Sequence, residues 1–394
     1  MKVLYVTHFF PPEKGAAANR AYRITKGLVR KGVGVDILTG FPNYPDGKLP
    51  QEYRLRGTTV EYTDYGARVI RVPMQPAASA DPIWFRLINQ ISFPINALIR
   101  QNVLHNNYDV VIASSPPLFT GLLGYLLSER LNARFVLDVR DLWPEAGMDV
   151  LTGIKRMALL PFRYLADFLY GRAYLITMTA DTMIEKIKER FPDKKYLWLP
   201  NGMFEEEVDS YRNIAVPEDN CVLVSSGLLG RMQDNKLLRD LAEILDKEKY
   251  QLHIAGGGAE SYLFEDDHLK SLDHVVYHGV LPYYKVLSLI ATSHVGLALW
   301  KDVEASNYVV PMRVVEYVSL GKPVVLSVPT AVGKWIEKYQ AGVIASSNVD
   351  AVKQAIDSIC SGGHYEEYAT NATRLAKDLF DMDYNIEKLL DAIR

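Results

Sequence analysis

Cysteine is almost absent from the sequence, where only Cys221 and Cys360 occur among 394 residues. Two cysteines are too few for a disulfide framework or for a clustered metal site. Such sparing use is typical of a reducing compartment. The sequence therefore predicts a cytoplasmic protein in which both cysteines are small, buried apolar side chains.

Long apolar runs and an excess of one charge are missing too. No run approaches the ~20 apolar residues that a membrane-spanning helix needs, and the opening apolar run of about eight residues is too short for a signal peptide. The 44 basic and 47 acidic residues leave a net charge of -3, which gives no global field to attract nucleic acid. We expect a protein that spans no membrane, carries no signal peptide and binds no nucleic acid.

What remains is an ordinary globular composition, 48% hydrophobic and 23% charged, in a chain long enough for two lobes. Each half opens with the same order of elements. Residues 2–40 and 221–258 both read as strand, glycine-containing loop, amphipathic helix and strand. The later strands are continuous apolar runs, which indicates parallel strands covered on both faces.

These patterns predict an α/β fold of two doubly wound, Rossmann-like domains that face each other across a cleft. Pro, Asn and Gly punctuate the chain at residues 199–202 and mark the boundary. We expect one domain over residues 1–200, a second over 201–375, and a helix over 376–394 that packs back on the first. Ligands should bind at the carboxyl ends of the strands.

The stretch PMRVVEYVSLGKPVV, residues 311–325, predicts a short helix that begins at Pro311 and ends at Gly321. Arg313 and Glu316 share one face of it. A helix N-terminus with an arginine can bind a diphosphate, and a carboxylate one turn later can accept hydrogen bonds from vicinal ribose hydroxyls. The alternative for this stretch alone is a surface Arg–Glu pair.

Three further strand ends in the second half carry glycine, in the segments GLLGR, AGGGAE and YHGV. Glycine lets the backbone approach a ligand closely, although each segment alone is equally compatible with a tight turn. The candidate ligand-binding glycines are Gly227, Gly230, Gly256 and Gly257. The segment GGGAES matches GxGxxG only in part, so it gives little support for a nicotinamide nucleotide.

Taken together, these motifs resemble glycosyltransferase family 4, retaining enzymes that use sugar nucleotides and have the two-lobed GT-B fold. The segments that carry the resemblance are FPPEKGAAAN, LPNG, SGLLGR, LHIAGGG, VVYHGVLP and the set Pro311, Arg313, Glu316, Gly321, Lys322 and Pro323. Two others, ASSPPLF and DVRDLWPEAG, resemble bacterial transferases that build surface polysaccharides and O-antigens, including the N-acetylfucosamine transferase type.

The resemblance implies an acceptor-binding first domain and a donor-binding second domain. It implies that Glu316 holds the ribose, that Arg313 and the helix start meet the diphosphate, and that Gly15 lets the first loop approach the donor phosphates.

The chain departs from the family pattern at three places. A second glutamate is usual eight positions before Glu316, where this chain has Tyr308. An arginine usually follows the first glycine of the second-half loop, where this chain has Leu228. Residues 138–141 contain no histidine, which many relatives place there.

Cleavage of a sugar–diphosphate bond develops negative charge on the leaving oxygens, which nearby cations stabilise. Arg231 and Lys236 join Arg313 as candidates for this role. A carboxylate could orient the acceptor, and Asp141 or Glu145 at a strand end of the first domain could supply it. The alternatives are a capping role for Asp141 and a solvated surface position for Glu145.

No metal or other cofactor is expected, because no His, Cys and carboxylate cluster has ligand spacing. The one Asp-x-Asp pair, Asp381 and Asp383, falls in the C-terminal segment and reads as a solvated or capping pair. His8, just after the first strand, reads as a structural histidine.

Residues 83–100 and 154–172 mix aromatic, aliphatic and basic side chains and could lie in a lipid interface. The alternative is a pair of core helices. A lipid-linked acceptor would make membrane contact useful, so we expect peripheral contact with the cytoplasmic face of the membrane.

The function predicted from the sequence is transfer of a sugar from a nucleoside diphosphate sugar to a saccharide, lipid-linked in our expectation, in bacterial polysaccharide assembly. The alternatives are a non-catalytic partner subunit of the same fold, a nucleotide-sugar epimerase and, more distantly, a nicotinamide oxidoreductase.

Overall fold

The computed structural model describes the chain apart from residues 55–56, 79–80, 146–147, 149–152, 213, 218 and 362 and the side chains of residues 154 and 155. The chain forms two compact units. The first contains Met1–Leu199 and Asp383–Arg394, and the second contains Pro200–Met382. The division therefore falls inside the LPNG segment.

The first unit is built on a sheet of eight strands, counted over the described residues, in the order β3-β4-β2-β1-β5-β6-β7-β8. Its strands are β1 (Lys2–Val6), β2 (Gly34–Gly40), β3 (Thr59–Tyr62), β4 (Arg68–Val72), β5 (Val110–Ser115), β6 (Arg134–Val139), β7 (Leu175–Met178) and β8 (Lys195–Trp198). Its helices are α1 (Ala16–Arg30), α2 (Ile83–Ile99), α3 (Leu118–Leu131), α4 (Gly153–Met157), α5 (Leu160–Arg172) and α6 (Asp181–Lys188), with 3-10 turns at Gln51–Tyr53 and Gln101–Val103.

All neighbouring strands of this sheet run parallel except β3 and β4 at one edge. The central strands β1 and β5 are buried almost throughout, as continuous apolar runs predict. Strand β1 pairs with both β2 and β5, so the order of the strands reverses beside it. In doubly wound sheets, ligands bind at the strand carboxyl ends near such a reversal.

The second unit has six parallel strands in the order β11-β10-β9-β12-β13-β14, again counted where the chain is described. Its strands are β9 (Cys221–Ser226), β10 (Tyr250–Ala255), β11 (Val275–Tyr277), β12 (Val295–Ala298), β13 (Val324–Leu326) and β14 (Gly342–Ile344). Its helices are α7 (Glu205–Asp209), α8 (Asn235–Ile244), α9 (Asp267–Lys270), α10 (Tyr283–Ala291), α11 (Met312–Ser319), α12 (Gly333–Tyr339), α13 (Val349–Cys360) and α14 (Tyr365–Leu375), with 3-10 turns at Ser261–Phe264 and Glu304–Tyr308 and a π turn at Ala376–Phe380. The prediction of two doubly wound α/β domains is confirmed.

The last helix, α15 (Met382–Ile393), joins the first unit from Asp383 onward. Its Ile386 is fully buried against α1. A Cβ added to Gly27 of α1 would lie 2.5 Å from Ile386 Cγ1, so only glycine allows the two helices to pack this closely.

The prediction for the cysteines is wrong. Cys221 and Cys360 form a disulfide with 6.1 Å between their Cα atoms, and both residues are partly exposed. Cys221 is the first residue of β9 and Cys360 is the last residue of α13. The fold therefore brings together two residues that are 139 positions apart in the sequence. Sequence spacing carries no signal for such a contact.

Across the described residues, no helix is long and apolar enough to cross a membrane.

Candidate functional site

Helix α11 is the element that positions the predicted Arg–Glu pair. Pro311 caps it and Gly321 follows it with a φ of 70°, so the predicted helix is confirmed. Tyr317 fixes the helix to the sheet, because its hydroxyl accepts a hydrogen bond from Ser226 N, at the end of β9, at 2.8 Å. A Cβ on Gly296 of β12 would lie 2.1 Å from Tyr317 Cδ2, so the ring packs directly on the strand.

Arg313 is buried, with 8% of its surface exposed. Its Nη2 donates to the carbonyl oxygen of Leu228 at 2.9 Å, so within the described part of the chain its partner is a carbonyl and not a carboxylate. Burial lowers the pKa of Arg313, against the opposing influence of Tyr317 and Glu316. A buried guanidinium without an ion pair favours an anionic ligand.

Glu316 lies one helical turn after Arg313 and is also buried, at 7% exposure. The alternative of a solvated surface pair is therefore wrong for both residues. The second unit thus holds a buried cation and a buried carboxyl group on one short helix.

The glycine loops after β9 and β10 lie against each other. Gly227 has a φ of 106°, and a Cβ there would come within 3.0 Å of Arg313 Nη2. A Cβ on Gly256 would lie 1.8 Å from the Gly227 oxygen, and one on Gly257 would lie 2.7 Å from Val280 Cγ2. Leu229 N donates to the Gly257 oxygen at 2.9 Å. These contacts require residues without side chains, and they bring the two glycine loops together with Gly227 against Arg313.

Gly230 has a local role, because its N–H donates to Gln233 Oε1 at 3.0 Å and its carbonyl accepts from Asn235 Nδ2 at 2.9 Å. The two cations predicted to stabilise the leaving diphosphate, Arg231 and Lys236, are exposed on the surface. Lys236 is 82% exposed at its side chain and lies 3.8 Å from Asp240 on its own helix. Arg231 is exposed. Neither has a contact with Arg313 or Glu316 in the described structure.

In the first unit, Gly15 precedes α1 with a φ of 126°, which favours glycine. The loop that carries it is held by Glu13, which the sequence reasoning missed. The buried Glu13 carboxylate accepts from the backbone N–H groups of Asn43 at 3.0 Å and Tyr44 at 2.9 Å. Burial raises the pKa of Glu13 in spite of these hydrogen bonds. The loop before α1 is therefore tied to the loop after β2.

The segment DVRD divides into structural and exposed positions. Asp138 is fully buried and forms an ion pair with Arg20, with Nη2 2.7 Å from Oδ1. Burial works to raise the pKa of Asp138, but the Arg20 charge and the hydrogen bonds from Arg20 and Thr177 bring it below its usual value. Arg140 keeps a buried Nε that has no partner among the described residues. Asp141 is exposed two residues after β6.

Glu145 is not on a solvated surface, so that alternative is wrong. It is 8% exposed, and its Oε1 lies 2.5 Å from Arg190 Nη2. Its Oε2 is buried without a partner in the part of the chain that the structure describes. Arg190 also contacts Asp167. Glu145 therefore forms an internal ion pair, whereas Asp141 forms none with the residues that the structure describes.

His8 lies in the same unit, with its Nε2 2.9 Å from Asn89 Oδ1. Burial lowers the pKa of His8 to about 4. Its Nδ1 is buried without a partner in the described residues, so only one of the two ring nitrogens has a hydrogen-bond partner there.

The described residues contain no group of three or more His, Cys, Asp or Glu that could hold a metal ion. Asp381, in the Asp-x-Asp pair, forms a backbone bridge with Met203.

Two family models match nearly the whole chain between them. The Glycosyl transferase 4-like domain matches residues 15–202, and the Glycosyl transferases group 1 model matches residues 209–376. No curated protein matches the chain.

Solved structures share the fold at low identity. Sucrose-phosphate synthase from Thermosynechococcus elongatus has a TM-score of 0.72 at 14% identity, with 99% of this chain and 97% of that chain covered. Anabaena Alr3699/HepE in complex with UDP has a TM-score of 0.68 at 16% identity, with 100% and 99% covered. The E. coli trehalose-6-phosphate protein bound with UDP-2-fluoro glucose has a TM-score of 0.70 at 12% identity, with 100% and 98% covered.

The fold and the two matched domains define the class, since a GT-B arrangement of Rossmann-like domains with these models is that of a glycosyltransferase. The chain belongs to the glycosyl transferases whose first domain is 4-like and whose second domain is of group 1. The finer resemblance to N-acetylfucosamine transferases stays a prediction.

Proposed function

We propose that the protein is a retaining glycosyltransferase that moves a sugar from a nucleoside diphosphate donor to a saccharide acceptor in bacterial polysaccharide assembly. One observation carries the donor part of the proposal. A buried arginine, without an ion pair among the described residues, lies against a glycine turn, one helical turn from a buried glutamate. The retaining course and the polysaccharide role are supported by the motifs that resemble family 4.

In this proposal the donor diphosphate binds at the start of α11, where the helix dipole and Arg313 both favour negative charge. Glu316 accepts hydrogen bonds from the two ribose hydroxyls. Gly227 and Gly256 allow the backbone to approach the ligand. Structural neighbours hold UDP and UDP-2-fluoro glucose, which supports a UDP-sugar as the donor.

The reaction exchanges one bond at the anomeric carbon for another. The bond from that carbon to the diphosphate oxygen breaks, and a bond to the acceptor oxygen forms on the same face of the sugar. The acceptor proton passes to the leaving diphosphate oxygen, so no protein nucleophile is needed. Arg313 stabilises the charge that develops on the diphosphate, and the step as written uses no metal ion.

The acceptor in this proposal binds the first unit and is a lipid-linked saccharide, with the protein peripheral on the cytoplasmic face of the membrane. Asp141 is the carboxylate that orients it. Its exposed position just after β6 supports this role, because ligands of doubly wound sheets bind at strand carboxyl ends. Glu145 is the weaker candidate because Arg190 already binds it.

Calorimetry with UDP and GDP tests the ribose assignment. Glu316→Ala should weaken binding of the preferred nucleotide about tenfold to a hundredfold, because two hydrogen bonds to a carboxylate are lost. Glu337→Ala, on an exposed position of α12, is the matched control and should bind like the parent. Thermal melting of both variants checks that they fold. Equal affinity in Glu316→Ala and the parent would remove the assignment.

Product analysis tests the reaction itself. The parent with a UDP-sugar and a saccharide acceptor should give a glycoside whose anomeric configuration, read by NMR, is that of the donor. Conversion of the donor without any acceptor would instead identify an epimerase. An inverted product would overturn the retaining assignment.

A further inference from the structure

Helix α2 exposes an apolar face to solvent. Five large apolar side chains recur at intervals of three or four residues, which places them on one face of a helix. They are Trp84 (57% exposed), Ile88 (49%), Ile91 (38%), Ile95 (51%) and Ile99 (70%). We call these five residues the α2 stripe. At 1.5 Å of rise per residue the stripe is about 22 Å long.

The opposite face of α2 is the one that packs into the first unit. Phe93 and Ala97 are buried there, and the helix lies against α3. Asn89 is buried as well and fixes the helix, because it contacts His8 and donates to the Gln75 carbonyl oxygen at 2.6 Å. These contacts of the inner face fix the orientation of α2. The helix therefore cannot rotate about its axis to bury the stripe.

The helix that carries the stripe has charged side chains of one sign. Residues 83–100 contain no aspartate or glutamate, whereas Arg86 and Arg100 lie at the two ends of the helix. The whole chain is slightly acidic at -3, so this absence is local. A surface that is apolar along its middle and basic at its ends complements an anionic lipid surface.

The neighbouring segment has the same character. Helix α3 packs against both α2 and α5, so the three helices lie on the same side of the sheet. The α4–α5 segment exposes Met157 (65%), Tyr164 (72%) and Phe168 (40%). It also carries Arg156, Arg163 and Arg172, and its single acidic residue, Asp167, contacts Arg190.

We infer that the α2 stripe, with the exposed side chains of α4 and α5, binds the surface of a bilayer that contains anionic phospholipid. The isoleucines enter the boundary between headgroups and acyl chains, Trp84 lies at headgroup level, and Arg86 and Arg100 contact the lipid phosphates. No described helix crosses a membrane, so α2 lies in the plane of the surface. The inference deepens the proposed function, since it supplies a contact for a lipid-linked acceptor.

A second copy of the chain fits the α2 stripe less well than an anionic lipid surface does. Two-fold packing of one stripe on another would place arginine near arginine, whether the helices run parallel or antiparallel. Because residues 83–100 offer no carboxylate to either helix, such a dimer would bury apolar side chains beside uncompensated like charges.

Vesicle sedimentation tests the inference without any sugar donor, so it fails or succeeds independently of the proposed transfer reaction. The parent should sediment with vesicles of equal parts phosphatidylglycerol and phosphatidylcholine and much less with phosphatidylcholine alone. The triple variant I88Q/I91Q/I95Q should lose binding at least about tenfold, because three side chains no longer enter the interface. Glutamine keeps helix propensity high.

The control is Tyr62→Gln, at a residue that is 72% exposed on edge strand β3 of the same unit. It should bind vesicles like the parent. The double variant R86E/R100E keeps the stripe and should lose only the preference for anionic vesicles. Circular dichroism and the melting temperature should stay unchanged in all of these variants, which shows that they fold.

Three results would overturn the inference. The parent could fail to sediment with anionic vesicles, or the triple variant could bind as well as the parent. Light scattering could also show that the parent is a dimer and the triple variant a monomer, which would make the stripe an interface between copies.

Discussion

At the scale of single residues, His8 shows how its surroundings fix the charge of a side chain. The amide nitrogen of Asn89 donates to the Gln75 carbonyl, which leaves the amide oxygen as the acceptor for His8 Nε2. The proton therefore lies on Nε2, and the buried Nδ1 carries none. With a pKa of about 4, the ring is neutral at pH 7.

This assignment predicts acid sensitivity. Between pH 6.5 and about 4 the unfolded chain protonates His8 and the native chain does not. The unfolded state then binds more protons, so the free energy of unfolding falls with falling pH, by up to about 3 kcal/mol over this window. Urea denaturation at pH 7 and pH 5 should show a smaller loss in His8→Gln than in the parent. Equal losses would contradict the assignment.

Arg313 illustrates a conflict between binding and stability. Because its buried charge has no ion pair within the described chain, we expect Arg313→Met to raise the free energy of unfolding by about 1 kcal/mol. The same variant should lose UDP affinity at least about tenfold, since a charge-assisted contact to phosphate is removed. Denaturation and calorimetry on one preparation measure both effects. A variant that is less stable and still binds UDP would show that Arg313 is purely structural.

At the scale of elements, local signals were sufficient for α11 and insufficient for α2. Proline at the start and glycine after the end mark α11 in the sequence itself. Helix α2 is apolar around most of its circumference, so no periodicity indicates which face is buried. Only its packing on α3 separates the inner residue Phe93 from the exposed stripe.

Contacts between distant residues account for what the sequence reasoning missed. Arg20 and Asp138 are 118 positions apart, and Glu145 and Arg190 are 45 apart. Nothing local distinguishes these carboxylates from solvated ones. The glycine loops were found because close backbone contact permits only one residue type, whereas the partner of a charged side chain depends on the tertiary fold.

The disulfide between β9 and α13 should stabilise the second unit. It closes a loop of 139 residues, for which the chain-entropy model gives about 5 kcal/mol. Reduction with a phosphine should therefore lower the melting temperature of the parent. The double variant C221S/C360S should melt at that lower temperature with or without the reductant. A parent that melts identically in both conditions would contradict the pairing.

At the scale of the whole molecule, the repeated strand–loop–helix–strand order was enough to predict two doubly wound domains. Apart from the edge strand β3, each sheet is a set of parallel strands in which β1 and β9 are central, and the loop that follows each of these two strands contains glycine. The order of the outer strands follows from crossovers that the sequence does not record, so it could not be predicted.

The last helix offers a test at this scale. Ile386→Ala removes a fully buried side chain that packs on Gly27, and it should cost about 2–4 kcal/mol. Hydrogen exchange should increase in residues 1–199 and stay unchanged in 200–382, since α15 belongs to the first unit. Asp391→Ala, at an exposed position of the same helix, is the control. Increased exchange confined to the second unit would contradict this division.

The place of α15 also affects how the protein is made. The amino-terminal unit leaves the ribosome first, yet the segment that covers Gly27 is synthesised only after the second unit. Part of the apolar surface of the first unit therefore stays exposed while the entire second unit is translated. The folding of the first unit is completed only after α15 has been synthesised.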